Sequence, residues 1–362
     1  MLGFNRTYTL PFKFDIPNCT QEFLKKKSGI KIWFKFIKRY LYINLKSQKL
    51  LEIYSILPKH NNILWINISA PSLGDSLMDL SSRIMLKDRK VDLFTDNKNA
   101  DLYKDDFIFS TIYTDKKQVD KNKYDLIIID SYSTRSIHVK ADIADLTPFV
   151  GMFGYYNGPE VNRVLFSYHQ MNHLLGYVNN EDELNKMAKT SISISETDKT
   201  LIQKTKLPSN FVALVIGGEW NYRTYNKWDF VIEKLISQDN ELNIILVGSD
   251  NAKHGARVIM EKFSHDNVLD CVAKFTFNQT AQIIKRAQIL LCCDGGLMHS
   301  ANAVNTPIVA LFAGLSPEMQ LTESIRAFSV YDKNDVNNIS VKDVLTKYKE
   351  ATNFVHSHPL GG

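Results

Sequence analysis

The chain has 362 residues, enough at about 100–200 residues per domain for two domains with full hydrophobic cores. Hydrophobic residues at 44% and charged residues at 23% match ordinary globular proteins and exclude disordered and fibrous classes. The net charge of +5 hides an asymmetry: residues 1–60 carry 12 Lys/Arg against 3 Asp/Glu, a surplus of +9, so the remainder sums to −4.

The N-terminus lacks the basic start, apolar centre and small-residue cleavage site of a secretory signal, and no run approaches the roughly 18 apolar residues of a membrane span. The basic first 60 residues point to an anionic partner. Lys31, Lys35 and Lys38 fall at helical spacing, with Trp33, Phe34, Ile37 and Leu41 as an apolar stripe between them. The pattern fits an amphipathic helix on an anionic membrane surface, or a helix packed on its own domain with a solvated basic face. It matches no base-reading module, so nucleic acid is not expected. From residue 61 strands and helices alternate. Ile63–Ile68 is a short β-branched run ending in SAPSLGDS and followed by LMDLSSRIML at helical spacing, a βα unit. Val91–Phe94 and Leu126–Ile129 are further buried strands. After the polar stretch Asn179–Thr200 the same grammar returns at Phe211–Ile216, Ile244–Val247, Ile289–Cys292 and Ile308–Phe312.

Alternation of this kind predicts α/β architecture, with two Rossmann-like domains of parallel strands facing a central cleft. The expected boundaries are a partly helical basic extension at 1–60, a first domain at 61–178, a linker at 179–205, a second domain at 206–345 and a C-terminal tail at 346–362, loose from His356 on. Ligands of such sheets bind at the carboxyl ends of the strands. The four cysteines, Cys19, Cys271, Cys292 and Cys293, include no C-x-x-C pair, so neither a disulfide framework nor a zinc ribbon is expected and a reducing cytoplasm is the default. Cys292 and Cys293 end a buried strand and read as small core residues.

The most informative segment is Ile289–Pro317, ILLCCDGGLMHSANAVNTPIVALFAGLSP. A buried strand ends at Asp294, and Gly295-Gly296 opens a helix near Leu297. Two glycines permit close backbone approach and free helix N-terminal amides suit a phosphate, so the turn is an anion site or a structural Gly-Gly turn. Asp75, after Gly74 in the SLGD loop, is on its residue type either a helix cap or a carboxylate at the ligand end of the first sheet. No strict D-x-D motif is present; Glu181/Glu183 and Asp239/Glu241 lie in polar stretches and read as solvated faces.

The Asp-Gly-Gly string resembles the D-T/S-G-x-x-H-x-A-x-A-…-P-x-V-x-L-F-G segment of glycosyltransferase family 9, the heptosyltransferases that build lipopolysaccharide inner core. ILWINISAPSLGDSLMDLS, FVALVIGGEWNYRTYNKW, IILVGSDNAKHGARVI and VAKFTFNQTAQIIKRAQILLCCD are similar to further family segments, so the resemblance spans about residues 61–320. Gly295 stands where the family has Thr or Ser, Ala313-Gly314-Leu315 where it has Gly-Pro-Thr, and Pro71 interrupts the first loop.

The resemblance implies a GT-B fold, an acceptor-binding first domain and a nucleotide-sugar-binding second domain. It also implies inverting, metal-independent transfer without a cofactor. The donor would be ADP-heptose and the acceptor an anionic lipopolysaccharide-core glycolipid on the cytoplasmic face of an inner membrane. Asp75 becomes the catalytic base. Arg223, with Lys227 in reserve, would hold the donor phosphates, and Gly295, Gly296 and Leu297 would offer amides to the diphosphate. Asp294 would orient that loop or touch the sugar, and His299 would position the helix or contact ligand. Gly217 and Gly218 would let the donor approach, and Asp250 would accept from a ribose hydroxyl. Arg135 and Arg83 would hold the acceptor's anionic sugars. The competing readings are the same chemistry on a protein or capsule acceptor, a sugar-nucleotide epimerase, and a non-catalytic nucleotide-sugar-binding module.

Overall fold

The computed structural model describes residues 29–153, 162–263 and 267–358, with side chains from Trp33 onward. Cys19, the side chain of Lys31 and the far end of the basic extension lie outside them. The chain divides into two compact units, Met1–Ala188 and Lys189–Gly362.

Unit 1 holds a five-stranded sheet in the order β3-β2-β1-β4-β5, built from β1 (Asn62–Asn67), β2 (Lys90–Thr95), β3 (Phe109–Tyr113), β4 (Leu126–Ile129) and β5 (Phe149–Gly151). Every pairing is parallel. Ile63, Leu64, Ile66 and Leu126–Ile129 are fully buried, which explains why β1 and β4 read as continuous apolar runs rather than alternating ones.

Unit 2 holds a six-stranded sheet in the order β11-β10-β9-β6-β7-β8: β6 (Val212–Val215), β7 (Ile244–Val247), β8 (Val268–Asp270), β9 (Leu290–Cys293), β10 (Ile308–Ala313) and β11 (Ala327–Asp332). Counted within the unit this is 6-5-4-1-2-3, the Rossmann order, with its switch point between β6 and β9. Two apolar layers sandwich the sheet, one including Leu214, Trp228, Val231 and Leu246, the other Ala213, Ile283, Ile284 and Phe312.

Three expected boundaries are corrected. The basic extension is part of unit 1: its helix Gly29–Leu45 buries Phe36 and Ile43 in the core with Leu64, Ile66 and Ile137, each worth about 1.5–3 kcal/mol. The expected linker is mostly helix. Helix Glu181–Met187 starts with an Asn180/Glu183 capping box and buries Leu184 against Met78, Val164 and Tyr168. Helix Glu196–Lys204 buries Ile202 in unit 2, so the chain passes between units at Ala188–Lys189. Residues 346–357 of the expected tail belong instead to the helix Val341–Ser357, capped by Ser340 and packed through Val344 and Ala351.

Candidate functional site

In unit 1 the loops after β1 and β4 meet at the sheet's own switch point. Asp130, 2% exposed, joins them: Oδ2 accepts from the Ile68 and Ser69 amides at 2.9 and 2.7 Å, while Oδ1 accepts from the Ser131 amide and the Ser136 hydroxyl, both at 2.6 Å. The β1 loop then enters helix Leu73–Asp79, whose N-cap is Ser72 and not Asp75. Asp75 sits in the first turn, accepting from the Ser72 hydroxyl at 2.6 Å on Oδ2 and from Arg163 Nη1 at 3.1 Å on Oδ1. Arg163 begins the helix Arg163–Leu174 and is held by Asp79, one turn beyond Asp75, at 2.8 and 2.6 Å. One donor on each oxygen fixes the plane of the Asp75 carboxylate and leaves a lone pair free on each.

Asp79 and Arg163 escaped the sequence reading. The four-residue spacing of Asp75 and Asp79, which puts both carboxylates on one helix face, was the available signal.

Burial pushes the Asp79 carboxyl up to about 6, against the pull of Arg163. Its folded value lies above the ordinary 3.8, so the folded state holds a proton longer than the unfolded one, and stability falls as pH rises through about 4 to 6. Asp79→Asn removes that dependence. Thermal melts of the variant and the parent chain are expected to diverge in the variant's favour across this window, by at most about 3 kcal/mol. Parallel melts between pH 4 and 7 contradict this.

Arg83 is corrected as an acceptor residue. It is fully buried, its guanidinium pairs with Asp106 at 2.6 Å and its Nη1 donates to Leu80 O, within 6 Å of the Tyr103, Phe107 and Phe109 rings. Arg135 lies at the carboxyl end of the sheet, Nη1 donating to Ile68 O at 2.8 Å and Nη2 pairing with Asp96, its side chain 60% exposed.

In unit 2 four loops leave the carboxyl ends of β6, β7, β9 and β10. Gly217, at φ +88°, is required by the first: a Cβ there would meet Ala252 Cα at 3.0 Å. Gly218 faces Arg223 O and Thr224 at similar range, so these glycines serve close approach within the protein itself. At the switch point the β6 loop brings Arg223 to the end of β9, where Nη1 pairs with Asp294 Oδ2 at 3.0 Å; the Tyr222 ring lies beneath the guanidinium at 5.4 Å.

Asp294 leads into Gly295, the N-cap of helix Gly296–Ala303, which has no side-chain cap, leaving the first-turn amides of Gly296 and Leu297 for an anion. Gly295 is extended at φ 173°, and a Cβ there would meet nothing nearer than Cys293 O at 4.0 Å. The geometry therefore does not demand glycine at this corner.

His299 is buried in that helix, and its carbonyl accepts from Thr190 at 2.7 Å. Asp250 follows β7, its carboxylate 85% exposed and paired with Lys253 at 2.6 Å. Its neighbour Asn251 does the structural work, donating to Gly218 O at 3.1 Å and tying the β7 loop to the β6 loop. The reserve candidate Lys227 is spent on Asn337 O and Ile339 O at 2.6 and 3.3 Å. Cys292 and Cys293 are buried free thiols, Cys293 pushed up to about 12 by burial, which rules out a thiolate nucleophile near neutral pH. Among the described residues no group of three or more His, Cys, Asp or Glu side chains is placed to hold a metal ion.

No curated protein sequence matches the chain significantly. Solved structures do match in fold. A family 9 glycosyl transferase from Veillonella parvula DSM 2008 superposes with a TM-score of 0.69 at 13% identity, covering 83% of this chain and 100% of its own. The E. coli ADP-heptose lps heptosyltransferase II gives 0.66 at 18%, over 82% and 99%. E. coli heptosyltransferase WaaC with ADP gives 0.59 at 14%, over 81% and 98%. The fold is thus the expected GT-B type. The sequence profile of glycosyltransferase family 9 (heptosyltransferase) matches residues 161–349, from Arg163 and its helix through the Asp-Gly-Gly turn, and on that match the chain belongs to glycosyltransferase family 9.

Proposed function

We propose that this glycosyltransferase moves heptose, or a closely related sugar, from ADP-heptose to an anionic lipopolysaccharide-core glycolipid, with inversion and without a metal or cofactor. Its place of action would be the cytoplasmic face of an inner membrane. The observation that carries the reading is the Rossmann switch point of unit 2, where Arg223, Asp294 and the uncapped helix Gly296–Ala303 converge.

The acceptor hydroxyl oxygen attacks the anomeric carbon and its proton passes to Asp75, while the bond to the diphosphate oxygen breaks on the opposite face. Arg223 and the amides of Gly295, Gly296 and Leu297 meet the charge left on the departing nucleoside diphosphate. Arg135 is the remaining candidate for the acceptor's anionic groups, and His299 fixes the helix beneath the phosphates. The similar E. coli proteins, an ADP-heptose lps heptosyltransferase and a heptosyltransferase bound to ADP, support this donor and acceptor together with the arrangement in unit 2.

Calorimetric titration with ADP, UDP, GDP and CDP in the presence of EDTA tests the donor. Preference for ADP is expected, and preference for UDP or GDP moves the sugar. Absence of binding by all four makes the chain a degenerate member without a donor site.

A further inference from the structure

The helix Gly29–Leu45 carries apolar side chains on its core face and on a second, exposed stripe. Phe36 and Ile43 are buried in unit 1, with Ile37 and Tyr40 packed beside them. The sequence pattern put Trp33, Phe34, Ile37 and Leu41 on one stripe; in the structure Ile37 packs on the core, while Phe34 and Leu41 are 60% and 55% exposed, with Leu45 at 81%. At 3.6 residues per turn Phe34, Leu41 and Leu45 project within about 40° of one another. Lys38 borders the stripe and Lys35 lies beyond it, both exposed. Between residues 29 and 60 the one acidic residue is Glu52, whose carboxylate is buried and held by Lys49 and Tyr132.

We propose that this face docks on an anionic lipid bilayer. The stripe would enter the boundary between headgroups and acyl chains, with Lys35, Lys38 and Lys46 over the anionic headgroups. The inference rests on the proposed acceptor for its purpose, and on this surface alone for its chemistry. Aromatic and leucine side chains bordered by lysines, with no carboxylate on the helix itself, complement an anionic interface. A second copy is the poorer occupant, because a two-fold contact would set lysine margin against lysine margin with no carboxylate from either helix between. The stripe, about 20 Å long and 10 Å wide, also offers only about a quarter of the roughly 800 Å² that each partner gives to a standard protein interface. No described helix is long and apolar enough to cross a membrane, so the contact is peripheral.

The helix is not a loose handle. Gln48, just past its end, accepts from the buried Lys140, and Ile53 N donates to Phe149 O of β5 at 2.9 Å, so what the helix touches, unit 1 touches.

Sedimentation of the full chain with phosphatidylcholine vesicles, with and without phosphatidylglycerol, tests this without donor or acceptor present. Binding is expected only with phosphatidylglycerol and should weaken as salt rises. Leu41→Glu with Leu45→Glu should weaken it at least about tenfold at an unchanged melting temperature, since both side chains are exposed. Lys35→Glu and Lys38→Glu should each weaken it about fivefold. Absence of binding, or binding that the leucine pair leaves unchanged, overturns the proposal. So does a dimer in the parent chain that the leucine pair dissociates. None of these outcomes bears on ADP binding, so the membrane face and the transfer reading fail separately.

Discussion

Asp75→Asn should lower sugar transfer by about 10²- to 10⁴-fold while leaving ADP affinity and melting temperature close to those of the parent chain. The size follows from losing a general base in a step that must remove a proton from the attacking hydroxyl. Binding should survive because Asp75 lies in unit 1 and the proposed donor contacts lie in unit 2. Folding should survive because the first turn keeps its Ser72 cap and Arg163 keeps both bonds to Asp79. The measurement is kcat with saturating donor beside calorimetric ADP affinity. Transfer at the parent rate would remove Asp75 from the chemistry and leave it as a support for Arg163. Loss of ADP binding together with transfer would point to misfolding.

Arg223→Gln should weaken ADP binding by about 10- to 100-fold, the range for losing a charge-assisted hydrogen bond to phosphate, and leave adenosine binding unchanged. In the free protein the guanidinium is held by Asp294, whose carboxylate would also repel an incoming diphosphate. Asp294→Asn is therefore expected to keep or raise ADP affinity, and the two substitutions together should be non-additive because they touch one another. An Arg223→Gln chain that binds ADP as the parent does would move the phosphate contact to the amides of helix Gly296–Ala303 alone.

What the sequence made legible follows from burial. The interior strands β1, β2, β4, β6, β7, β9 and β10 are apolar runs because both faces of each sheet are covered, and all seven were readable within a residue or two. The strands missed, β3, β5, β8 and β11, are the four sheet edges. Edge strands are short or half-buried: β8 has three residues, β11 has no fully buried residue, and neither presents a run to see. The Gly-Gly turn was legible because backbone approach leaves a mark in residue type. Arg83 was misread because an arginine at helical spacing looks the same whether it faces solvent or, as here, pairs with Asp106, 23 positions along the chain. Asp130 and Arg163 were missed for the same reason: their partners are set by the strand order, and a single sequence carries no record of which loops share an end of the sheet.

Cutting the chain at residue 61, where the composition shifts, would not remove an appendage. Glu52 bridges to Phe149 in parallel register, so residues 29–60 cover the outer edge of β5 and fill the core beside it with Phe36 and Ile43. A protein begun at residue 61 would expose an open, apolar strand over a vacated pocket, the combination that recruits other chains by strand addition. For anyone shortening this enzyme for crystals or display, the piece to keep whole includes the helix Gly29–Leu45 with the sheet it packs on.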